Sequence, residues 1–263
     1  MKSNEINEGS LLAALSSVGL TEEQIKAVVY SQTDSTNMRA REYAENCDTD
    51  MPVLFVADSQ SDGRGRLGRS FLSPGGAGIY MSLLVFPRLH AKDAVRITAY
   101  TAVAVSRAIE AVTPLKPKIK WVNDVYVGER KLAGILVEGN VSPDGMLKYA
   151  IIGIGINTHA NEREGLDRIA TDIESECGVR ACRATLAARV AGEILSGIDG
   201  MLDVSISDEY RERSMLIGRS VRVIKQAEEY EATVTGITDS CELQIVRDGK
   251  QELLSTGEVS LRL

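Results

Sequence analysis

The sequence predicts an α+β fold, in which a mixed or antiparallel sheet with helices is followed by a small C-terminal β-barrel. First, apolar runs of strand length outnumber the helical segments. Second, short turns such as Gly128-Glu129 and Asp144-Gly145 separate the runs after residue 117, which is typical of an antiparallel meander. Third, short alternating strands follow Gly218, with Asp248-Gly249 as a hairpin turn.

The elements are predicted in order along the chain. Residues 9–30 are expected to form two short helices, the second beginning at a Thr21-Gln24 capping box. The further predicted helices are 38–45, 95–112, 185–201 and 208–213. The predicted strands include "VLFVAD" (53–58), "IYMSLLVF" (79–86), "KIKWV", "DVYVG", "KLAGILVEG" and "KYAIIGIGIN". We expect a helical extension over 1–30, a larger domain over 31–216 and the small barrel over 217–263.

Composition limits the classes of function. The net charge of −7 argues against a broad nucleic-acid surface, which needs massed Lys and Arg. The four cysteines form no C-x-x-C pair and only two histidines, His90 and His159, accompany them, so a structural zinc site is not expected. Neither a signal peptide nor a membrane span is visible, and we expect a reduced, cytoplasmic protein that binds neither DNA nor membrane.

The segment "GRGRLGRS" (63–70) fits two phosphate-binding patterns, the G-x-G-x-x-G of dinucleotide folds and a P-loop with arginine in place of lysine. Both patterns require a helix directly after the loop, because its N-terminal N–H groups bind the phosphate. Here "FLSPGG" follows, and its proline and glycines prevent a helix. The sequence therefore excludes both patterns.

Three arginines remain as the informative feature of this segment. Arg64, Arg66 and Arg69 lie within six residues of an acidic chain, and guanidinium groups suit carboxylate and phosphate oxygens. The glycines are expected to act as hinges of a loop that is mobile when empty. The alternative is a solvated surface turn.

Further polar residues follow the central strands. Asn123 and Asp124 are candidate oxygen ligands for Mg²⁺, or turn residues between strands. Lys131 is expected to present its ammonium to a pocket, or to lie at the surface. Asn157, after "IIGIGI", is a candidate ligand contact or turn cap, and the strand's two glycines indicate close approach of a ligand or another backbone. Trp121 is expected in the core.

Five ordered motifs carry a family resemblance: "DSTN", "SQSDGRGRLGRSFLSPGGAGIYMS", "KWVNDVYVGERKLAGILVE", "IIGIGIN" and the terminal "GEVSLRL". The chain resembles the biotin protein ligases, or biotin–[acetyl-CoA-carboxylase] ligases, and the likeness extends over about residues 33–263. The resemblance implies a catalytic domain like that of class II aminoacyl-tRNA synthetases and an SH3-like C-terminal barrel. It also implies an enzyme that joins biotin to ATP as biotinoyl-5′-AMP, releases pyrophosphate, and transfers biotin to a lysine of a biotin carboxyl carrier domain.

The resemblance also assigns residues. The implied biotin contacts are Ser35, Thr36, Asn37, Gln60, Arg64, Gly65, Arg66, Lys131 and Gly134. The implied ATP and adenylate contacts are Arg66, Arg69, Phe71, Lys120, Asn123, Asp124 and Asn157. Lys131, Arg66 and Arg64 would be catalytic, with Mg²⁺ reaching Asp124 through the nucleotide phosphates. A homodimer is compatible with this family.

The sequence departs from the family pattern at Val122, where many members have proline, and at Phe71, where some have tryptophan. We expect altered affinity and an unchanged reaction. The segment before Asp34 is too short for the DNA-binding domain of ligases that double as repressors. Two alternatives stay open: a lipoate or octanoate ligase or transferase of the same fold, and a non-catalytic biotin- or nucleotide-binding module.

Overall fold

A computed structural model describes residues 6–47, 50–159, 168–198, 200, 203–225, 228–255 and 258–261. Its α-helices are α1 (Glu8–Ser17), α2 (Thr36–Asn46), α3 (Ala94–Val112), α4 (Ile173–Cys177), α5 (Arg183–Gly197) and α6 (Val204–Arg213). Its strands are β1 (Lys26–Thr33), β2 (Val53–Gln60), β3 (Gly78–Val85), β4 (Lys118–Lys120), β5 (Asp124–Val127), β6 (Arg130–Val141), β7 (Leu147–Asn157), β8 (Ser220–Lys225), β9 (Glu228–Ile237), β10 (Leu243–Arg247), β11 (Lys250–Leu254) and β12 (Glu258–Leu261). Within these ranges no helix combines the length and the apolar character needed to cross a membrane.

A seven-stranded mixed sheet forms the larger unit, in the order β1-β2-β3-β7-β6-β5-β4. The β1–β2 pair is parallel and the other five pairs are antiparallel, which confirms the predicted sheet type. β3 and β7 lie at its centre, and almost every residue in them is buried, as their apolar sequences predict.

The two faces of this sheet are covered differently. One face packs on α1, α3 and α5, and Ile79, Met81 and Leu83 of β3 point into that large core. The opposite face meets α2, which covers only a small apolar cluster around Phe55 and Leu84. Since side chains alternate along a strand, residues Tyr80 and Ser82 point to the α2 face. The part of this face that α2 leaves uncovered is where the cleft lies.

One predicted helix is wrong. Residues 21–30 were expected to be helical, but only a single turn forms, in which Gln24 Oε1 accepts hydrogen bonds from Thr21 N at 3.0 Å and Thr21 Oγ1 at 3.2 Å. The chain then enters β1, whose first residue, Lys26, pairs in parallel with Val53. The capping contact is real, but long-range pairing to β2 determines the structure of the residues that follow. The catalytic-domain boundary expected at residue 31 therefore falls inside a strand of the sheet.

The C-terminal unit is a five-stranded antiparallel sheet in the order β11-β10-β9-β8-β12. The predicted hairpin turn at Asp248-Gly249 is confirmed, with both residues at positive φ. No pairing between β11 and β12 is recorded in the described part of the chain, so closure into a barrel stays a prediction. Of the terminal motif, Gly257, Arg262 and Leu263 lie outside the described residues.

Direct hydrogen bonds join the two sheets. The Trp121 indole, which is 3% exposed, donates from Nε1 to the carbonyl oxygen of Cys241 at 2.9 Å. From α6, Arg211 Nε donates to the carbonyl oxygen of Ile237 at 2.7 Å. Trp121 is therefore in the core, as predicted, and it fixes the C-terminal sheet next to the end of β4.

Candidate active site

The segment 63–70, here called the arginine loop, is a closed hairpin. Gly65 N donates to the Arg69 carbonyl oxygen at 2.7 Å, and Phe71 N donates to the Gly63 carbonyl oxygen at 2.7 Å. A Cβ on Gly63 would lie 2.2 Å from the Phe71 carbonyl oxygen, so no larger residue fits there. Gly68 has a φ of 73°, the left-handed conformation that favours glycine. The next regular element is β3, which agrees with the exclusion of a dinucleotide fold and a P-loop.

The first set of polar residues in the site lies at the junction between β1 and α2. Thr36 N donates to Gln60 Oε1 at 2.8 Å, and Gln60 Nε2 donates to Ser73 Oγ at 2.9 Å. Ser35, Thr36 and Asn37 are buried side by side at the start of the helix. These contacts connect the "DSTN" segment to the end of β2 and to the segment after the arginine loop.

A small cavity of about 60 Å³, here called the inner cavity, lies between this segment and the loop. Residues of β6 and β7, among them Gly134, Gly153 and Gly155, line one side of it, and the loop forms its cover. The residues that the resemblance assigned to biotin all line it: Ser35, Thr36, Asn37, Gln60, Arg64, Gly65, Arg66, Lys131 and Gly134. The structure therefore brings this set together, while their individual roles remain predictions.

Two residues that the sequence analysis missed orient Asn37. Ser82 Oγ lies 2.6 Å from Asn37 Oδ1 and 2.7 Å from Thr36 Oγ1. Asn37 Nδ2 donates to Glu138 Oε2 at 2.7 Å. Both partners are distant along the chain, and only the period-two alternation of β3 and β6 could have indicated that they face α2.

The glycines of β7 make room for side chains of this chain. A Cβ on Gly153 would lie 2.2 Å from Asn37 Oδ1, and one on Gly155 would lie 2.4 Å from the Phe71 ring. The same ring lies 3.4 Å from the Cβ position of Gly134 and meets Tyr80 edge-on, with centroids 6.3 Å apart. We expected close approach of a ligand or another backbone. The groups that actually approach are an amide and an aromatic ring.

Lys131 stands where three cavities meet. Its backbone is held on both sides, because Lys131 N donates to the Ile169 carbonyl oxygen and its own carbonyl accepts from Thr171 N, both at 2.9 Å. Its ammonium lies 2.8 Å from Asp124 Oδ1, and the side chain is 30% exposed. Lys131 and Phe71 line the inner cavity and both of its neighbours. The ammonium therefore faces a pocket, as predicted.

The second cavity, here called the outer cavity, has a volume of about 130 Å³ and opens beyond the arginine loop. It is lined by six of the seven residues assigned to ATP, namely Arg66, Arg69, Phe71, Lys120, Asn123 and Asp124, together with Val259 of the C-terminal sheet. Arg66 Nη1 donates to Asn123 Oδ1 at 2.8 Å, which ties the loop to the end of β4. This cavity is rich in cations, as an anionic ligand requires.

The third cavity, here called the side cavity, has a volume of about 200 Å³ and lies beyond Phe71. Asn157, the last residue assigned to ATP, lines it, and its Nδ2 donates to the Thr171 carbonyl oxygen at 2.9 Å. The side cavity is otherwise mainly apolar, with Leu72, Pro74 and Ile169 among its walls. Asn157 is therefore near the rest of the set, with Phe71 and Lys131 between them.

A tyrosine close to Lys120 stays neutral. Burial, with a smaller contribution from the Asp124 carboxylate, raises the pKa of Tyr126 to about 12. The Lys120 ammonium lies over this ring, 5.6 Å from its centroid. This contact holds the Lys120 side chain at the edge of the outer cavity.

The residues at the predicted Mg²⁺ position do not form a metal site by themselves. Asp124 is the one carboxylate among the described residues that line the outer cavity, and its Oδ1 is already 2.8 Å from the Lys131 ammonium. The Asn123 amide oxygen accepts from Arg66. Among the described residues no group of three or more His, Cys, Asp or Glu side chains is arranged to hold a metal ion. The Asp124 carboxylate is therefore paired with the Lys131 ammonium.

A larger cavity, of about 780 Å³, lies elsewhere among the described residues, between α1, α3 and α5. None of the residues assigned to substrate lines it, and Arg189 is the one cation among its described lining residues, which also include the carboxylates of Asp50 and Glu193. Size alone therefore does not identify the site. The three adjoining cavities around Lys131 do, because they concentrate the polar and cationic side chains.

Comparison with known proteins agrees with this geometry. The sequence model of the Biotin/lipoate A/B protein ligase family matches residues 28–157, and that of the Biotin protein ligase C terminal domain matches residues 216–262. The biotin–[acetyl-CoA-carboxylase] ligase of Mycobacterium tuberculosis is 30% identical over 262 residues, which are 97% of this chain and 95% of the relative. The chain belongs to the biotin protein ligase family.

Other members of the biotin protein ligase family show which parts are shared. The bifunctional ligase/repressor BirA of Bacillus spizizenii is 34% identical over 167 residues, 62% of this chain and 51% of the relative, so the chain spans about half of its length. The biotin protein ligase of Aquifex aeolicus, solved in complex with biotin and ATP, is 26% identical with a TM-score of 0.73. That likeness covers 90% of this chain and 98% of the other.

Proposed function

We propose that the protein is an ATP-dependent biotin protein ligase. It would convert biotin and ATP to biotinoyl-5′-AMP and pyrophosphate, and then transfer biotin to one lysine of a biotin carboxyl carrier domain. The observation that carries this proposal is the position of Lys131. Its ammonium lies between an inner cavity, which combines neutral polar groups with Arg64 and Arg66 of the loop, and an outer cavity lined by Arg66, Arg69 and Lys120.

This division of the cleft suits the two substrates. The inner cavity offers the hydroxyl and amide groups of Ser35, Thr36, Asn37 and Gln60 to an uncharged polar ring. The outer cavity offers cations to a triphosphate. A carboxylate that extends from the ring would end near Lys131, and the α-phosphate would reach the same ammonium from the other side.

In the first step, a biotin carboxylate oxygen attacks the α-phosphorus of ATP. The new C(O)O–P bond forms while the bond to the pyrophosphate oxygen breaks, and pyrophosphate leaves with that electron pair. Because both reactants are anions, the barrier falls mainly through positioning and through cations that neutralise the developing charge. Lys131 and Arg66 are placed to do this, and no histidine base is required.

In the second step, the neutral amine of the target lysine attacks the acyl carbon of the adenylate. The amide bond forms, the bond from the acyl carbon to the AMP oxygen breaks, and the amine loses its proton to solvent or base. The arginine loop covers the inner cavity, so Arg64 and Arg66 would shield the mixed anhydride from water until a carrier lysine arrives. Mg²⁺ is the expected companion of ATP, and we assign it to the nucleotide phosphates.

Exchange of labelled pyrophosphate into ATP tests the first step. Biotin should stimulate the exchange strongly, while lipoate and octanoate should not. Stimulation by lipoate alone would instead support a lipoate ligase, and no exchange with tight biotin binding would support a non-catalytic module. The retained charges of Lys131, Arg66 and Asp124 favour the catalytic proposal, because a site that has lost its activity has no reason to keep them.

The remaining expectations belong to the same proposal. We propose a carrier domain of a biotin-dependent carboxylase as the partner, a cytoplasmic location, and a homodimer as one possible assembly. We also propose that residues 217–263 form a separate domain that supplies one wall of the outer cavity. With a net charge of −7, the chain should not retain operator-length DNA at physiological salt in a gel-shift assay.

A further inference from the structure

Glu138 lies near the end of β6, on the face of the sheet that meets α2, and it is not among the residues that line the inner cavity. Its side chain is 20% exposed. Three side chains surround its carboxylate. Asn37 Nδ2 donates to Oε2 at 2.7 Å, Arg41 Nη2 donates to Oε1 at 2.8 Å, and Arg64 Nη1 lies 3.7 Å from Oε1.

The contact with Asn37 determines how that amide is oriented. Ser82, at the other end of the amide, can either donate or accept a hydrogen bond, so it does not distinguish the oxygen from the nitrogen. An ionised carboxylate only accepts, so Glu138 requires the Nδ2 end. The Oδ1 end must then face Ser82, at 2.6 Å. Gly153 leaves room for the amide in this position.

The contact with Arg64 reaches the arginine loop. Arg64 Nη1 is also 3.2 Å from Met38 Sδ, so the guanidinium lies against the start of α2 as well as near Glu138. Glu138 is therefore the one described carboxylate within 4.0 Å of this loop guanidinium. The Glu138 charge therefore attracts Arg64 of the loop that covers the inner cavity, and it also orients the Asn37 amide in the wall of that cavity.

We infer that Glu138 is a positioning residue that couples closure of the arginine loop to the orientation of the biotin-binding amide of Asn37. This inference rests on the proposed function. Loss of the Glu138 charge should release both side chains. The Asn37 amide becomes free to turn over, and Arg64 loses its attraction to the sheet. Biotin should then bind more weakly and the adenylate should escape faster.

Glu138→Gln tests this inference because it removes the charge with almost no change in shape. We expect biotin affinity, measured by calorimetry, to fall about tenfold, the effect of losing one hydrogen bond to a charged group. The dissociation rate of preformed adenylate should rise by several-fold. Glu42→Gln is the matched control, since Glu42 pairs only with Arg39 at the surface among the contacts recorded here. It should leave both values unchanged.

Two further variants separate positioning from simple structural support. Glu138→Asp keeps the negative charge and should retain more of the adenylate lifetime than Glu138→Gln. Arg64→Gln should speed adenylate loss, and the double variant with Glu138→Gln should show less than the product of the two single rate increases, because both changes remove the attraction between Arg64 and Glu138. Circular dichroism melting curves establish that each variant folds.

The inference is wrong if Glu138→Gln matches the wild type in both measurements, if Glu138→Asp is as fast as Glu138→Gln, or if the two rate increases multiply in the double variant. A wild-type protein that neither binds biotin nor forms an adenylate would refute the proposed function itself. The two failures are therefore distinguishable.

Discussion

A methyl group at position 153 perturbs the inner cavity in a defined way. An ideal Cβ on Gly153 lies 2.2 Å from Asn37 Oδ1, whereas ordinary contact begins at 3.4 Å. The amide must therefore move by the difference, about 1.2 Å. Because the obstructing group is a side chain, we expect Gly153→Ala to displace the Asn37 amide before it displaces the strand.

The magnitude follows from the contacts that the amide would lose. The Ser82–Asn37 distance is 2.6 Å, and adding about 1.2 Å removes it from hydrogen-bonding range. A buried polar group without its partner costs about 1–3 kcal/mol. Overpacking of a filled site costs a similar amount, about 1–3 kcal/mol. Since about 1.4 kcal/mol corresponds to a factor of ten, a loss of about 1–3 kcal/mol should lower biotin affinity about 5- to 150-fold.

Calorimetric titration with biotin measures the affinity, and urea unfolding measures the stability. Gly192→Ala is the control: it adds the same methyl group on α5, where the Cβ would lie 3.5 Å from Val18 and meet no clash. It should leave biotin binding unchanged. Gly153→Ala with wild-type biotin affinity would show that the Asn37 amide does not contribute to the site as described.

Three further predictions concern charged residues. Lys131→Ala should abolish pyrophosphate exchange while leaving the thermal unfolding midpoint close to that of the wild type; normal turnover would remove Lys131 from the mechanism. Arg66→Gly loses the 2.8 Å bond to Asn123 and should speed adenylate dissociation more than it lowers stability, and an unchanged dissociation rate would contradict its role. Hydrogen bonds from Arg213 lower the pKa of Glu110 from its usual 4.5. The pair therefore stabilises the folded state above about pH 4.5, and this stabilisation is lost as the pH falls through the lower pKa of the folded state. Glu110→Gln should therefore reduce the loss of unfolding free energy between neutral and acidic pH in urea titrations; an unchanged pH dependence would exclude the pair as a source.

Much of the central sheet could be predicted because its residues are buried on both faces. The apolar runs of β2, β3 and β7 have few other interpretations, and the proline-terminated α3 begins and ends within one residue of the predicted bounds. β1 could not be predicted in the same way. Its residues are only half buried, and pairing with β2, across the intervening α2, determines its structure.

The residues of the candidate site also divide into those that the sequence predicts and those that it does not. Residues within motifs, such as Thr36 and Lys131, could be found from the sequence. Their partners could not: Ser82 and Glu138 lie 45 and 101 residues from Asn37 and appear in the sequence as ordinary strand residues. Only the register of the sheet brings them together. The hinge role expected of the glycines in the arginine loop stays a prediction, and what the structure adds is that Gly63 and Gly68 also satisfy the geometry of a closed hairpin.

The most direct test of the central claim is transfer to a carrier. The protein, biotin, ATP with Mg²⁺ and a purified biotin carboxyl carrier domain are incubated, and the carrier is weighed by intact-mass spectrometry. We predict the addition of one biotinoyl group to one lysine, and no addition without ATP or with Lys131→Ala. A carrier that gains nothing, although another ligase biotinylates it, would contradict the account.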